Sequence, residues 1–427
     1  MKIFLLNLGC AKNQVDSEDL AGMLVSAGYE IVGDVSSAET AIVNTCGFIL
    51  PAVEESIDAI LDLEKMKQEG RLKSIGVVGC LVKRYGVELM KELPVIDFWA
   101  GPQEWHRVME YLGSPLTEWQ RGFLPETRFW TRYLKISEGC NSRCSYCTIP
   151  SIRGPLKSLP LSQILRDTEV LLEQGAREIC LVSQDPTMYG VDISGRPMFN
   201  ELLKSLEGFM PRNVWLRLLY LNPSRIDEEL LHIVNESPVI LSYLDMPIQH
   251  VNPVILSSMN RQGNSDMYKK TIDLARSLDP LFAIRTTLIV GYPGETEEQF
   301  SELLDFLGEM ELDRVGAFTF YPEEGTPAAS LEGQVPQEIK DHRYRRLMEF
   351  QADISLSRQK KLEGQCISVI LEEIGSKEDL SWGRSYRDAP EVDGMVGISG
   401  ADEFSEGDLI RVRVTEATEH DLFAEVL

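Results

Sequence analysis

The sequence predicts an α/β protein in three parts: an N-terminal parallel α/β domain, a partial (β/α) barrel, and a small C-terminal all-β module. Three observations lead there. Over residues 1–112 short apolar runs alternate with helical patterns. Over 128–355 the same alternation returns at longer spacing. Over 356–427 the helical period gives way to β-branched runs separated by Gly, Asp and Ser. Strands alternating with helices imply a parallel sheet, whereas strands separated by turn residues imply an all-β fold.

The first domain rests on three runs, Ile3–Leu8, Ala41–Thr45 and Ile75–Gly79. A helix follows Pro51, whose fixed φ suits a first turn, and Val53, Ile57, Ile60 and Leu61 recur at helical spacing. Residues 113–127 hold Gly113, Pro115, Gly122 and Pro125 without periodicity and read as a linker. Six strands are expected next: Tyr133–Ser137, Glu178–Val182, Val214–Leu219, Leu241–Met246, Ile284–Val290 and Val315–Phe320. Helical patterns such as Leu161–Gln174 and Thr296–Glu309 lie between them. Six β/α units are too few for an eight-fold barrel, so an open partial barrel or a doubly wound sheet is expected. Cys366–Ile374 and Leu409–Thr415 are strands of the last module.

The chain has 427 residues, 43% hydrophobic and 26% charged, ordinary values for a globular protein of about three domains. No apolar run approaches the ~20 residues of a membrane span. The opening MKIFLLNLG reads as a first strand, not a signal peptide, so a cytoplasmic protein is expected. Thiols stay reduced there, so the eight cysteines are candidates for metal binding or catalysis before disulfides. The net charge of -25 argues against tight nonspecific binding of nucleic acid and suits either solubility or a basic protein partner.

Cys140, Cys144 and Cys147 have the spacing C-x3-C-x2-C in GCNSRCSYC, directly after a predicted strand. Loops at strand C-termini are where such sheets place active sites. Thiolates suit iron–sulfur clusters or zinc. A closed zinc site needs four ligands, and no fourth Cys or His is nearby in sequence. Three thiolates on a four-iron cube leave one iron open to a substrate or cofactor. A zinc site completed from afar, or a redox dithiol at Cys144 and Cys147, are the competing readings.

With Tyr146 before the third cysteine, this motif resembles the radical S-adenosylmethionine (SAM) enzymes. The resemblance implies a 4Fe–4S cluster on the three cysteines and SAM chelated at the open iron. Reductive cleavage of SAM would then supply a 5′-deoxyadenosyl radical. Tyr146, Gly291 and Glu295 are the expected SAM contacts, the last two in LIVGYPGETE, residues 288–297. A plain strand-to-helix turn accounts for that segment equally well. LVSQD, residues 181–185, stands where many members carry Gly-Glu-Glu, and Ser183 is the expected replacement. His250 is either a cavity residue or, more commonly for a lone His, structural. No side chain stands out as a general base.

Cys10, Cys46 and Cys80 each follow one of the first three predicted strands. Parallel strands end on one edge, so these cysteines are expected to converge there. Three inert buried cysteines are the competing reading. Three ligands again imply a second cluster with an open iron. Cys180 and Cys366 lie in apolar runs and read as core.

The whole chain then resembles the methylthiotransferase family of radical SAM enzymes, through LGCAKNQVDSE (8–18), NTCGFI (44–49) and GCNSRCSYCTIPSIRG (139–154). This implies an N-terminal domain with an auxiliary 4Fe–4S cluster, a radical SAM core and a TRAM β-module. It also implies that SAM is used twice, once for the methyl group and once for the radical. Neither the sulfur donor nor the electron donor is implied.

Two branches of the family compete. One modifies an adenosine of tRNA. The other, of RimO type, modifies the β-carbon of an aspartate in the twelfth small-subunit ribosomal protein. IPSIRGPLKS (149–158), YPEEGTPAA (321–329) and GRSYRDAPEVDG (383–394) resemble the second. Residues 363–427 carry 16 acidic and 5 basic residues, a net of -11. An RNA-binding module should be basic, and an acidic one suits a basic ribosomal protein. Arg343, Arg345 and Arg346 are the basic cluster available for phosphate, or an exposed helix face. A non-catalytic iron–sulfur scaffold is the alternative of another class.

Overall fold

A computed structural model describes residues 1–116 and 118–427; Thr117, inside the predicted linker 113–127, lies outside the described residues. Two compact units emerge: Met1–Phe129 with Tyr133–Ser142 and Thr148–Gln174, and Trp130–Arg132 with Arg143–Cys147 and Gly175–Leu427. This division passes inside the expected segment 128–355, because residues 133–142 and 148–174 cluster with the first unit.

The first unit holds strands β1 (Lys2–Asn7), β2 (Glu30–Val32), β3 (Thr40–Thr45), β4 (Ser74–Gly79) and β5 (Phe98–Ala100). They form one sheet in the order β2-β1-β3-β4-β5. Every pairing is parallel. The runs are continuously apolar because both faces are covered. Along β3, Ile42 joins one core with Leu5, Leu24 and Phe98. Its neighbours Ala41 and Val43 join the other with Ile60, Val77 and Leu81. Helices α1 (Ala11–Ser26), α2 (Leu50–Gln68) and α3 (Cys80–Glu92) follow β1, β3 and β4. Leu61, expected on the buried stripe of α2, is exposed. The edge strands β2 and β5 are three residues each, too short for a sequence period to reveal. Strand β6 (Thr131–Lys135) is followed by β7 (Ser137–Glu138), which pairs antiparallel with β8 (Lys157–Ser158). Between those two lies the short helix α4 (Ile149–Arg153).

The second unit contains β9 (Glu178–Val182), β10 (Trp215–Leu218), β11 (Tyr243–Asp245), β12 (Ala283–Val290) and β13 (Arg314–Thr319). β9 pairs with β10, and β12 lies between β11 and β13, all in parallel. A single parallel bridge from Leu216 to Ile240 links the two groups. The result is an open arc, as the count of β/α units predicts. Strands β14 (Cys366–Glu373), β15 (Ser381–Ser385), β16 (Val396–Ser399), β17 (Leu409–Ala417) and β18 (Leu422–Val426) close a barrel in the order β14-β15-β16-β18-β17. Val369, Leu371, Ile398 and Val412 fill it.

This barrel is fastened to the arc by buried ion pairs. Arg384 meets Glu178 at 2.5 Å, Arg314 meets Asp388 at 2.5 Å, and Arg387 meets Asp313 at 2.5 Å. GRSYRDAPEVDG is therefore the segment that docks the module. Cys180 is buried as expected, but Cys366 is exposed. It opens β14 one residue before the inward-facing Ile367, so the two-residue strand period turns it outward. No helix among the described residues is long and apolar enough to cross a membrane.

Candidate functional site

Adjacent parallel strands carry the three N-terminal cysteines to one edge. In the sheet register Asn7 lies beside Asn44, and Thr45 beside Gly79. Cys10, Cys46 and Cys80 follow these strand ends. Cys10 caps α1 and Cys80 opens α3. Two glycines let the turns crowd together. A Cβ on Gly9, at φ +98°, would stand 2.8 Å from Cys46 Cβ and 3.3 Å from its Sγ. A Cβ on Gly79, at φ +100°, would stand 2.3 Å from Asn44 Oδ1. Both φ values are ones that glycine alone adopts without penalty.

Asn13 is the hub. Its Nδ2 donates to the carbonyls of Leu8 at 2.9 Å and Thr45 at 3.1 Å, tying two strand ends together. Its Oδ1 faces the sulfurs, with Cys80 Sγ at 3.7 Å and Cys10 Sγ at 3.9 Å. Asn44 Nδ2 holds α1 by donating to the Asn13 carbonyl at 2.9 Å. Burial pushes the Cys46 thiol up and the Cys80 thiol up to about 12. Among the described residues no group of three or more His, Cys, Asp or Glu side chains stands ready as a metal cage. The donor chemistry fits an iron–sulfur group all the same: three sulfurs at one sheet edge, with glycine turns leaving room beside them.

Beneath the sulfurs lies a buried charge network. Lys135 donates to Asp16 at 2.5 Å, and Arg153 donates to Asp16 at 2.6 Å and Glu138 at 3.2 Å. Burial alone would raise the Asp16 carboxyl, but Lys135 and Arg153 outweigh it and hold it below its ordinary value. Asp16 is thus buried on a polar face of α1 that also buries Asn13, Ser17 and Glu18; Ser17 is held by Asn7 and Asn44 at 2.9 and 2.8 Å, and Glu18 by Arg121 at 2.7 Å.

Cys140 also belongs to the first unit. Its amide donates to the Gly154 carbonyl at 3.1 Å, and its Sγ accepts from the Ser142 amide at 3.3 Å.

Cys144 and Cys147 lie in the second unit, on a segment clamped by residues 258–261. The Ser145 hydroxyl donates to the Ser258 carbonyl at 2.9 Å, and Asn260 Nδ2 donates to the Arg143 carbonyl at 2.7 Å. Arg261 Nη1 lies 3.9 Å from Cys144 Sγ and 3.4 Å from the Tyr146 hydroxyl. Tyr146 packs beside Ile255, Met259 and Tyr292.

Farther along, Glu295 is buried with both oxygens committed. One faces His250 Nε2 at 3.2 Å, and the other accepts from the Gly291 amide and from Arg343 at 2.9 Å. The Asn252 amide donates to His250 Nδ1 at 3.0 Å, so Nε2 carries the proton toward Glu295. His250 is thus held in a buried hydrogen bond with Glu295, and Arg343 is a buried ion-pair partner, not an exposed basic residue. Glu295 holds the Gly291–Gly294 turn in shape. Ser183 is buried just beyond β9.

Sequence reasoning missed Asn13, Asp16, Lys135, Arg153 and Arg261. Asn13 and Asp16 lie in LGCAKNQVDSE and Arg153 in IPSIRGPLKS, but their partners Cys80, Lys135 and Asn13 stand 67 to 140 positions away in sequence.

Residues 2–101 match the model of the uncharacterized protein family UPF0004, residues 134–307 that of the radical SAM superfamily, and residues 364–427 the TRAM domain. The chain is 44% identical to the ribosomal protein uS12 methylthiotransferase RimO of Carboxydothermus hydrogenoformans, covering 100% of both chains. It is 41% identical to the protein of that name from Geobacter sulfurreducens, covering 100% of this chain and 98% of the other. Among solved structures, it is similar to the radical SAM methyltransferase TsrM of Kitasatospora setae with cobalamin and a [4Fe-4S] cluster bound. That match has a TM-score of 0.56 at 15% identity, covering 77% of this chain and 73% of the other. At that identity the likeness shows the fold.

Proposed function

The chain belongs to the family of ribosomal protein uS12 methylthiotransferases, and from that premise we propose that it adds a methylthio group to the β-carbon of an aspartate in that ribosomal protein. It is a radical SAM enzyme that uses SAM and two 4Fe–4S clusters. In our reading Cys140, Cys144 and Cys147 hold one cluster, and Cys10, Cys46 and Cys80 hold the other. The observation that carries this reading is the placement of three cysteines just beyond the ends of three adjacent parallel strands, with the sulfurs of Cys10 and Cys80 both facing Asn13. When bound, the clusters and SAM supply the radical and the sulfur chemistry, which no side chain here can supply.

The chain's own residues then have defined work. Asn13 faces the sulfurs of Cys10 and Cys80, and Gly9 leaves room beside Cys46. Ser145 and Asn260 fix the loop of Cys144 and Cys147, and Arg261 sets a positive charge beside Cys144. Tyr146, Ser183 and Gly291 border SAM, while Glu295 acts on it only by shaping the Gly291 turn. The site is cytoplasmic in this reading.

The acidic barrel supports a protein substrate. Arg384 and Arg387 are buried in ion pairs, and so are the acidic Glu372, Asp388 and Asp393, so the outer face of the barrel keeps its excess of acidic residues. Such a face attracts a basic ribosomal protein and repels RNA. The test is a reduced, anaerobic reaction with SAM and either the ribosomal protein or tRNA, followed by mass spectrometry. Methylthio addition to an aspartate of the protein is expected. Methylthio-adenosine in tRNA with unmodified protein would overturn the substrate assignment.

A further inference from the structure

Arg153 ends α4 with its side chain only 2% exposed. Its Nε donates to Cys80 Sγ at 3.2 Å, and its Nη2 donates to Asn13 Oδ1 at 2.6 Å. Its Nη1 is held by Asp16 at 2.6 Å and Glu138 at 3.2 Å. A guanidinium near two carboxylates ordinarily forms a fork on one of them. Here each nitrogen takes a different partner, and Nε is directed at sulfur. Lys135 shares both carboxylates, at 2.5 Å from Asp16 and 3.4 Å from Glu138. Two cations and two carboxylates balance, so the network is neutral before any sulfur carries charge. In so buried a place the geometry of each charge counts for more than it would in water.

We propose that Arg153 is a positioning residue that sets the reduction potential of the iron–sulfur cluster on Cys10, Cys46 and Cys80. It does so by donating a charged hydrogen bond to the sulfur of Cys80. This rests on the assignment of those cysteines to a cluster. Hydrogen bonds to ligand sulfurs and nearby charge are established levers on cluster potential. Reduction adds negative charge, which a guanidinium at the ligand sulfur stabilises. Arg153 therefore raises the potential, and its loss lowers it. Asp16 and Glu138 keep Nη1 engaged, so Nε remains aimed at the sulfur.

The test uses the full chain with Cys140, Cys144 and Cys147 changed to Ala, so that only this cluster forms. Iron is counted after anaerobic reconstitution, and the midpoint potential is measured by poising the sample with dithionite and mediators and reading the EPR signal. Arg153→Met should keep its iron but reduce less readily. At a fixed poise the reduced-to-oxidised ratio should fall about tenfold, about 59 mV for a one-electron couple. Arg153→Lys keeps the charge without the aimed donor and should fall between the two. An unchanged potential in Arg153→Met overturns the proposal. If that variant fails to hold iron, an unchanged potential in Arg153→Lys overturns it equally. Absence of iron with Arg153 intact would instead overturn the cluster assignment beneath it.

Discussion

Arg384 of the C-terminal barrel and Glu178 at the start of β9 form an ion pair at 2.5 Å with side chains 1% and 0% exposed. Arg384 also meets Glu372 at 2.6 Å, and Glu178 meets Arg217 at 2.6 Å. Breaking such a buried chain by removing one member leaves charge uncompensated, which costs about 3–5 kcal/mol. Arg384→Met should therefore lower the urea midpoint sharply, read by intrinsic tryptophan fluorescence. Lys65→Ala, which removes an exposed pair with Asp62, should leave the midpoint unchanged. Equal effects would show that burial does not set the strength of these pairs.

The same pair predicts the response to acid. Burial would push the Glu178 carboxyl up, but Arg384 and Arg217 outweigh it and hold it at about 2, against an ordinary value of 4.5. A carboxylate lowered by folding contributes stability above its unfolded value and loses it as pH falls through the folded one. The urea midpoint should therefore decline between about pH 4.5 and pH 2, and less steeply in Arg384→Met. Identical slopes would remove Glu178 from the account.

Thiol reactivity should separate the N-terminal cysteines. Cys10 is exposed, whereas burial raises the Cys46 thiol and takes that of Cys80 up to about 12. In metal-free native protein at about pH 8, iodoacetamide should label Cys10 and the exposed Cys366 first. Cys46 and Cys80 should lag by about tenfold or more, since only thiolate reacts. Peptide mapping gives the order. Equal rates would mean that the sheet edge is open to solvent.

The two triplets should fail differently. Cys140→Ala should abolish formation of 5′-deoxyadenosine. Cys46→Ala should spare it and lose methylthio product. Chromatography of both products from one reaction measures this. Loss of both activities in both variants would end the division of labour.

Much of the site was legible because strand ends in a parallel sheet share an edge. Three runs ending near Cys10, Cys46 and Cys80 were enough to expect convergence, and the sheet order places β1, β3 and β4 side by side. Asn13 and Arg153 were not legible as partners, because a hydrogen bond 140 residues apart leaves no local period. Arg343 shows the converse failure. Beside Arg345 and Arg346 it reads as an exposed charge, yet its pairing with Glu295 depends on where the strand-to-helix turn after β12 falls. Cys366 failed for a smaller reason: a strand's first residue takes its side from register, not from its own hydrophobicity.

The central claim is that two separate cysteine triplets each hold a cluster. Iron per chain after anaerobic reconstitution tests it most directly, in wild type, in a Cys10/Cys46/Cys80 triple-Ala variant and in a Cys140/Cys144/Cys147 triple-Ala variant. Two four-iron clusters on thiolates predict about eight irons in wild type and about four in each variant. About four in wild type, unchanged when Cys10, Cys46 and Cys80 are replaced, would contradict the claim and leave a one-cluster enzyme.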